Sequence, residues 1–220
     1  MQVKEKELQA QLDEVKNNFE SKADESIIKI YNDGIDAVVK SSVVENAKNV
    51  GDKAPNFTLN NALGKPVELQ EYLKKGKVVL TWYRGGWCPF CNLTLRQLQQ
   101  ELPNFKANNA TLIALTPEVP DQSLSTSEKH NLEFEVLSDL GNKIARAYGI
   151  VYKLTDDVAK NYNSSFGLND YNGDDSNELP LAATYIINED GTISYAFLDA
   201  EYRNRAEPAE IIKFLSSNPS

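Results

Sequence analysis

Two cysteines, Cys88 and Cys91, are the side chains in this 220-residue chain whose type and spacing most directly suggest chemistry. A pair separated by two residues has three interpretations: a catalytic dithiol, half of a metal site completed by a second subunit, or a structural pair that packs like small hydrophobic residues. A structural zinc site within one chain needs four Cys or His ligands, and the single histidine, His130, lies far away in the sequence. The residues around the pair decide between these interpretations.

The flanking residues favour a catalytic dithiol at the start of a helix. Pro89 suits the first helical position, which places Cys88 at the N-cap and Cys91 in the first turn. The N-terminus of a helix carries about half a positive charge, which favours a thiolate over a thiol. The i, i+3 spacing puts both sulfurs on one side of that turn, near enough to form a disulfide. Gly86 lets the backbone turn sharply and bring N–H groups toward the site, and Trp87 shields one flank.

Arg84, next to the pair, is a supporting candidate with two interpretations. In the first, it has a role in the chemistry and lowers the pKa of the thiols or binds an oxyanion. In the second, it has no such role, and its guanidinium is solvated or its aliphatic stem packs against the protein. Of the two sulfurs, the one at the helix N-cap has the more favourable and more exposed place. We therefore predict that Cys88 is the nucleophile, with its sulfur reachable past Trp87, and that Cys91 is the resolving partner.

The cysteines lie between a predicted strand and a predicted helix, where α/β folds place their chemistry. The strand is the β-branched and aromatic run 77–83, and the helix carries apolar residues at steps of three and four from Leu95. Further elements are predicted as strands at 111–115 and 134–137, helices at 123–131, 142–148 and from Pro208, and a hairpin of 184–187 with 193–198. Segment 156–179 has no hydrophobic period and is predicted to be a long loop. The pattern predicts an α/β fold, a mixed central sheet with helices on both faces.

The first 48 residues are predicted to be a helical extension, followed by one domain over residues 49–220. Two apolar stripes at helical spacing support the extension; they consist of Leu8, Leu12, Val15 and Phe19, and of Ile27, Tyr31, Ile35 and Val38. Neither helix can bury its stripe alone. Two arrangements remain open, a cap on the core of the same chain and a contact with a second copy in a homodimer.

Composition and charge exclude some classes of partner. The formal net charge is −9 and no dense basic block occurs, which argues against nucleic acid. No run of about 18 apolar residues is present, so no membrane-spanning segment is expected. The first eight residues lack the apolar stretch of a signal peptide, and we expect a cytoplasmic protein. The sequence predicts no metal and no cofactor.

The segment from about residue 50 to the C-terminus resembles the peroxiredoxin family, of the alkyl hydroperoxide reductase and thiol-specific antioxidant type, within the thioredoxin superfamily. The resemblance rests on blocks in the family's order, namely 51–59, 83–91 (Tyr-Arg-Gly-Gly-Trp-Cys-Pro-Phe-Cys), 136–139, 144–149 and 184–191. It implies a thioredoxin-like fold and thiol-based reduction of hydroperoxides without metal, haem or flavin. It also implies that a thioredoxin-like protein donates the electrons.

The chain departs from the family's pattern at three positions. Ungapped register places Cys91 where peroxiredoxins carry the attacking cysteine, Cys88 at their Thr position and Arg84 at their Pro position. The Arg that the family places before its late strand falls at Ala182, which is not the cis-proline of thioredoxins either. The register thus favours Cys91 as nucleophile, against the local argument for Cys88.

Three functions follow as hypotheses. The first is a peroxidase that reduces hydrogen peroxide and organic hydroperoxides through a Cys88/Cys91 dithiol–disulfide cycle, with catalysis supported by Arg84, Gly86, Trp87 and Pro89. The second is a thioredoxin-like protein disulfide oxidoreductase without significant peroxidase activity. The third is a non-catalytic redox-sensing or assembly module whose working surface is the N-terminal extension.

Overall fold

The central sheet is built around the strand that precedes the two cysteines. A computed structural model describes residues 7–61 and 63–218. The strands are β1 (Thr58–Asn60), β2 (Pro66–Glu68), β3 (Lys77–Trp82), β4 (Ala110–Thr116), β5 (Glu135–Ser138), β6 (Val151–Lys153), β7 (Glu178–Pro180), β8 (Thr184–Ile187) and β9 (Ile193–Phe197). Five of them form one sheet in the order β5-β4-β3-β8-β9. β3, β4 and β5 run parallel, whereas β8 is antiparallel to both β3 and β9, so the sheet is mixed as predicted.

Helices cover both faces of this sheet. They are α1 (Leu8–Glu20), α2 (Glu25–Lys40), α3 (Val43–Asn46), α4 (Leu69–Leu73), α5 (Pro89–Gln100), α6 (Leu102–Ala107), α7 (Pro120–Lys129), α8 (Lys143–Ala147), α9 (Asp156–Phe166), α10 (Leu168–Asn172) and α11 (Pro208–Ser217), with a 3₁₀ turn at Leu140–Asn142. Alternate residues of β3 point to opposite faces. Leu80 packs into a core with α2, α4, α8 and α9, and Val79 packs into a second core with α1, α5, α6 and α11. The predicted arrangement of helices on both faces is confirmed.

The N-terminal extension packs on the rest of its own chain. On α1, Leu8 and Leu12 are fully buried against the core that contains α5, as the apolar stripe predicts. Helix α2 lies on α9, and Gly34 is the point of close approach, since a Cβ there would lie 2.8 Å from Val158 Cγ2. The cap on the same chain is therefore the arrangement found. A homodimer and the division at residue 48 stay predictions, and residues 1–6 lie outside the described residues.

The predicted long loop at 156–179 is wrong. This segment contains α9, α10 and β7, and β7 pairs with β6 in a small antiparallel sheet. Thr155 caps α9 by accepting a hydrogen bond from the Val158 N–H, and Gly167 ends the helix at a φ of +75°. The buried face of α9 is short and consists of Val158, Ala159 and Tyr162 among polar residues. Tertiary contacts stabilise this helix, and the sequence carries too weak a period to show it.

The described helices include none that is both long enough and apolar enough to cross a membrane.

Candidate active site

The two cysteines lie where the chain passes from β3 to α5, at the carboxyl edge of the sheet. Helix α5 begins at Pro89, and Cys88 is its N-cap with extended backbone angles, as predicted. Gly85 and Gly86 are required by close packing: a Cβ on Gly85 would lie 2.1 Å from the Trp87 indole nitrogen. A Cβ on Gly86 would lie 2.2 Å from the Thr126 hydroxyl oxygen. The glycines therefore allow the tight path that brings the loop against the helix N-terminus.

Both sulfurs are buried, which corrects the expectation of an exposed Cys88. Cys88 is 1% exposed and Cys91 is 0% exposed, and both are free thiols. The sequence could not show this burial, because the covering side chains come from distant parts of the chain. Cys88 lines a cavity of about 170 Å³. Cys91 is instead enclosed by protein, and its Sγ accepts a hydrogen bond from the Arg84 backbone N–H at 3.4 Å.

The two thiols form one hydrogen-bonded pair with different acidities. The expectation that the N-cap position favours a Cys88 thiolate is wrong, because burial raises the pKa of Cys88, and the hydrogen bond and charge of Cys91 raise it further. Burial alone also disfavours a charged Cys91. The hydrogen bond from Cys88 and the positive charges of Arg205 and Arg84 outweigh that effect and hold the pKa of Cys91 well below the usual value for a thiol. The surroundings thus favour negative charge on Cys91 over Cys88.

Arg205 is a site residue that the sequence analysis missed. Its Nη2 donates a hydrogen bond to Cys91 Sγ at 3.3 Å, and the side chain is buried. Its Nη1 donates to the carbonyl oxygens of Tyr202 and Asn204, which hold the guanidinium in place. The sequence analysis sought an arginine at position 182 and found alanine. The structure brings a cation from the loop after β9, and no local pattern marks that residue.

Arg84 is buried under aromatic rings and lies in the wall of the cavity. It is 1% exposed, and its guanidinium lies 4.1 Å from the ring centre of Tyr202 and 5.0 Å from that of Trp87. Its Nη2 donates to the Tyr162 hydroxyl at 2.9 Å. Its Nε and Nη1 make no hydrogen bond of normal geometry to any described residue. Arg84 is thus a buried cation held among aromatic rings rather than a solvated one, and its positive charge helps to lower the pKa of Cys91.

The cavity over Cys88 has mostly aromatic walls. Trp87 stacks on Phe166 with ring centres 4.5 Å apart and an angle of 18°. The cavity is lined by Val15 and Phe19 of α1, Tyr31 of α2, Arg84, Trp87, Cys88, Pro89, Phe90, Tyr162 and Phe166 of α9, and Tyr202 and Arg203 after β9. All six predicted site residues thus lie in or beside one site, with Trp87 and Pro89 in its wall and Gly86 in its loop.

Glu118 is a second residue that the sequence analysis missed. It follows β4 at the same sheet edge as the cysteines, and its side chain is 0% exposed. Its Oε1 accepts a hydrogen bond from the Gly86 N–H at 2.8 Å. Burial raises the pKa of Glu118 to about 7, and the negative charge of Cys91 acts in the same direction. The sequence did contain a signal for this residue. The neighbouring parallel strands β3 and β4 end at the same edge of the sheet, so a carboxylate that follows β4 is expected near the residues that follow β3.

The site combines two buried thiols of different acidity, two buried cations and a partly open cavity. These groups can attack an electrophile with sulfur, move a proton between the sulfurs and stabilise negative charge on a leaving group. No group of three or more His, Cys, Asp or Glu side chains suited to a metal ion occurs within residues 7–61 and 63–218.

Comparison with known proteins identifies the family. The model of the AhpC/TSA family matches residues 50–196. Chloroplastic peroxiredoxin Q of Gentiana triflora is 30% identical over 172 residues, covering 76% of this chain and 66% of that protein. Thiol-disulfide oxidoreductase ResA of Bacillus thuringiensis subsp. konkukian is 31% identical over 108 residues, covering 49% of this chain and 61% of that protein. The chain thus spans about three-fifths to two-thirds of the length of these relatives.

Solved structures agree on the fold. Peroxidoxin BcpB from Mycobacterium tuberculosis superposes with a TM-score of 0.62 at 17% identity, covering 78% of this chain and 99% of that one. Peroxiredoxin Q of Xanthomonas campestris superposes with a TM-score of 0.58 at 14% identity, covering 74% and 90%. At these identities the likeness concerns the fold, and it confirms the predicted thioredoxin-like fold. Since the family model matches more than half of the chain, the chain belongs to the AhpC/TSA family.

Proposed function

We propose that the protein is a thiol peroxidase that reduces hydrogen peroxide and organic hydroperoxides through a Cys88/Cys91 dithiol–disulfide cycle. One observation carries the proposal. Cys88 lies beside a Cys91 whose pKa is lowered, and it lines a partly open cavity whose wall also contains the buried cation Arg84. A cavity of about 170 Å³ admits a small molecule, and both sulfurs are too buried to meet a protein surface directly.

In the proposed reaction, Cys88 is the nucleophile and Cys91 is its base. The Cys91 thiolate takes the proton of the Cys88 thiol while Cys88 Sγ attacks the terminal oxygen of the hydroperoxide. The S–O bond forms and the O–O bond breaks, giving a sulfenic acid on Cys88 and an alkoxide, or a hydroxide when the substrate is hydrogen peroxide. The positive charge of Arg84 in the cavity wall stabilises that leaving oxygen, which takes the proton back from Cys91 to form an alcohol or water.

The second step closes the disulfide. The Cys91 thiolate attacks Cys88 Sγ, forms the S–S bond and releases hydroxide from the sulfenic acid. The dithiol has then lost two electrons, and the O–O bond has gained them. A thioredoxin-like protein is the proposed donor that restores the dithiol by thiol–disulfide exchange. Because the sulfurs are buried, a protein donor reaches them after local opening of the cover. We assign this cycle to the cytoplasm, where such donors keep thiols reduced.

A second candidate function is protein disulfide oxidoreduction of the thioredoxin type. The match to a relative named thiol-disulfide oxidoreductase ResA favours it, together with the Cys-x-x-Cys spacing at a helix N-terminus. The burial of both sulfurs argues against it, since a protein disulfide must contact the attacking sulfur.

Single-turnover kinetics separate the two functions. Reduced protein is mixed with hydrogen peroxide, with cumene hydroperoxide or with insulin, and the second-order rate constants are compared. We expect the peroxides to react faster and to yield monomers whose mass is lower by about two hydrogens, the signature of one intramolecular disulfide. The double variant Cys88→Ser/Cys91→Ser is the control for background loss of peroxide. A larger rate constant with insulin, or mainly disulfide-linked dimers after peroxide, would contradict the proposal.

A further inference from the structure

The N-terminal cover, defined as helices α1 and α2 (residues 8–40), supplies part of the cavity wall above Cys88. Val15 and Phe19 of α1 and Tyr31 of α2 line the cavity together with the sulfur-bearing residue. These residues precede the segment that matches the family model, which begins at residue 50. The cover thus lies outside the matched segment, and its side chains form part of the cavity that Cys88 lines.

We propose that this cover determines substrate specificity: Val15, Phe19 and Tyr31 complete an apolar subsite for the organic part of a hydroperoxide of single-ring size. The proposal rests on the peroxidase function proposed above. It assigns the selection of the organic group to three side chains outside the matched domain.

Contacts within the cover hold this wall in a defined shape. Phe19 stacks on Tyr31 with ring centres 5.6 Å apart and an angle of 30°. Tyr31 in turn contacts the Tyr162 ring at 5.6 Å, and its hydroxyl donates to Asn161 Oδ1 at 2.6 Å. The wall is therefore fixed to α9, the helix that also carries the hydrogen-bond partner of Arg84.

Polar contacts anchor both ends of α1 to the C-terminal part of the chain. At its start, the Glu207 carboxylate accepts hydrogen bonds from the backbone N–H groups of Leu8 and Gln9, at 3.0 and 3.1 Å. At its end, Arg203 donates to Glu20 at 3.3 Å, and Arg203 also lines the cavity. The two anchored ends hold α1, and with it Val15 and Phe19, against the C-terminal part of the chain.

The two sides of the cavity differ in chemistry in the way an organic hydroperoxide requires. Cys88 and the cation Arg84 form the polar side, suited to the O–O group. The side chains from the cover and α9 form the apolar side. An apolar cavity of about 150 Å³ is large enough to bind benzene, and the cavity here is about 170 Å³. Hydrogen peroxide would leave most of this apolar surface without a partner, whereas a single ring with a short branch would fill it.

The test compares two peroxides in single-turnover reactions of the full chain. The wild type should react at least about tenfold faster with cumene hydroperoxide than with hydrogen peroxide, since one methylene in an apolar pocket is worth about tenfold or more. Val15→Phe fills the subsite and should lower the ratio of the rate constant for cumene hydroperoxide to that for hydrogen peroxide by about tenfold or more. Val39→Phe is the matched control, because Val39 is 57% exposed on α2 and does not line the cavity.

A second variant covers the case in which Val15→Phe fails to fold, as judged by its melting temperature. Phe19→Ala enlarges the subsite and should lower the preference for cumene hydroperoxide while raising the relative rate with a larger, two-ring hydroperoxide. Equal changes for all peroxides, or an unchanged preference in a folded variant, would overturn the inference. A wild type that consumes neither peroxide would instead refute the proposed function, so the two failures are distinguishable.

Discussion

Replacing Glu118 by glutamine removes a buried carboxyl group that can ionise, while the side chain keeps a hydrogen-bond acceptor for the Gly86 N–H. Burial raises the pKa of Glu118 from an ordinary 4.5 to about 7. At about 1.4 kcal/mol for each pKa unit, this difference corresponds to about 3 kcal/mol of folding free energy. The charged form is the one that the protein disfavours, so the cost appears where the carboxyl ionises.

The sign follows from proton binding. Between pH 4.5 and about 7 the folded protein keeps the Glu118 proton that the unfolded chain has lost, so this group's contribution to stability falls as the pH rises. Below pH 4.5 Glu118→Gln and wild type should differ little. Above pH 7 the variant should be more stable by up to about 3 kcal/mol, because it carries no buried charge.

Urea denaturation of the reduced proteins at pH 4.5 to 8.5 measures this difference. Groups that do not interact with Glu118 cancel when the variant is subtracted from the wild type, whereas Cys91, which does interact with it, is controlled by comparison with the oxidised protein. Glu128→Gln, at an exposed position of α7, is the matched control for the loss of one carboxylate. Oxidation to the disulfide removes the negative charge of Cys91 and should shift the wild-type slope to lower pH. A difference between variant and wild type that stays constant over the whole pH range would refute the reasoning.

Two further predictions concern the order of the sulfurs and the role of the cover. Cys91→Ser should still consume one equivalent of peroxide and accumulate a trappable sulfenic acid on Cys88, whereas Cys88→Ser should react far more slowly. Rapid formation of a sulfenic acid on Cys91 in Cys88→Ser would reverse the assignment. Removal of residues 1–40 should lower the melting temperature strongly, since burial of Leu8 and Leu12 is worth about 1.5–3 kcal/mol each against a total stability of about 5–15 kcal/mol. An unchanged melting temperature would contradict a packed cover.

The sequence alone determined the elements that rest on local rules. Pro89 and the preceding cysteine specify a helix start within a few residues, because a cap depends on its immediate neighbours. The strand before them was predictable from its β-branched run, and the apolar stripe of α1 predicted the burial of Leu8 and Leu12. The order of strands, helices and hairpin was sufficient to predict a mixed sheet with helices on both faces.

Only the tertiary structure decided how the two sulfurs differ. The cation that lowers the pKa of Cys91 comes from Arg205, and the carboxyl that accepts from the Gly86 N–H comes from Glu118. Part of the cavity wall above Cys88 comes from the first forty residues. These groups are distant along the chain and meet only after packing, so no spacing rule marks them. Burial and neighbouring charge determine a thiol's pKa, and both are properties of the folded chain.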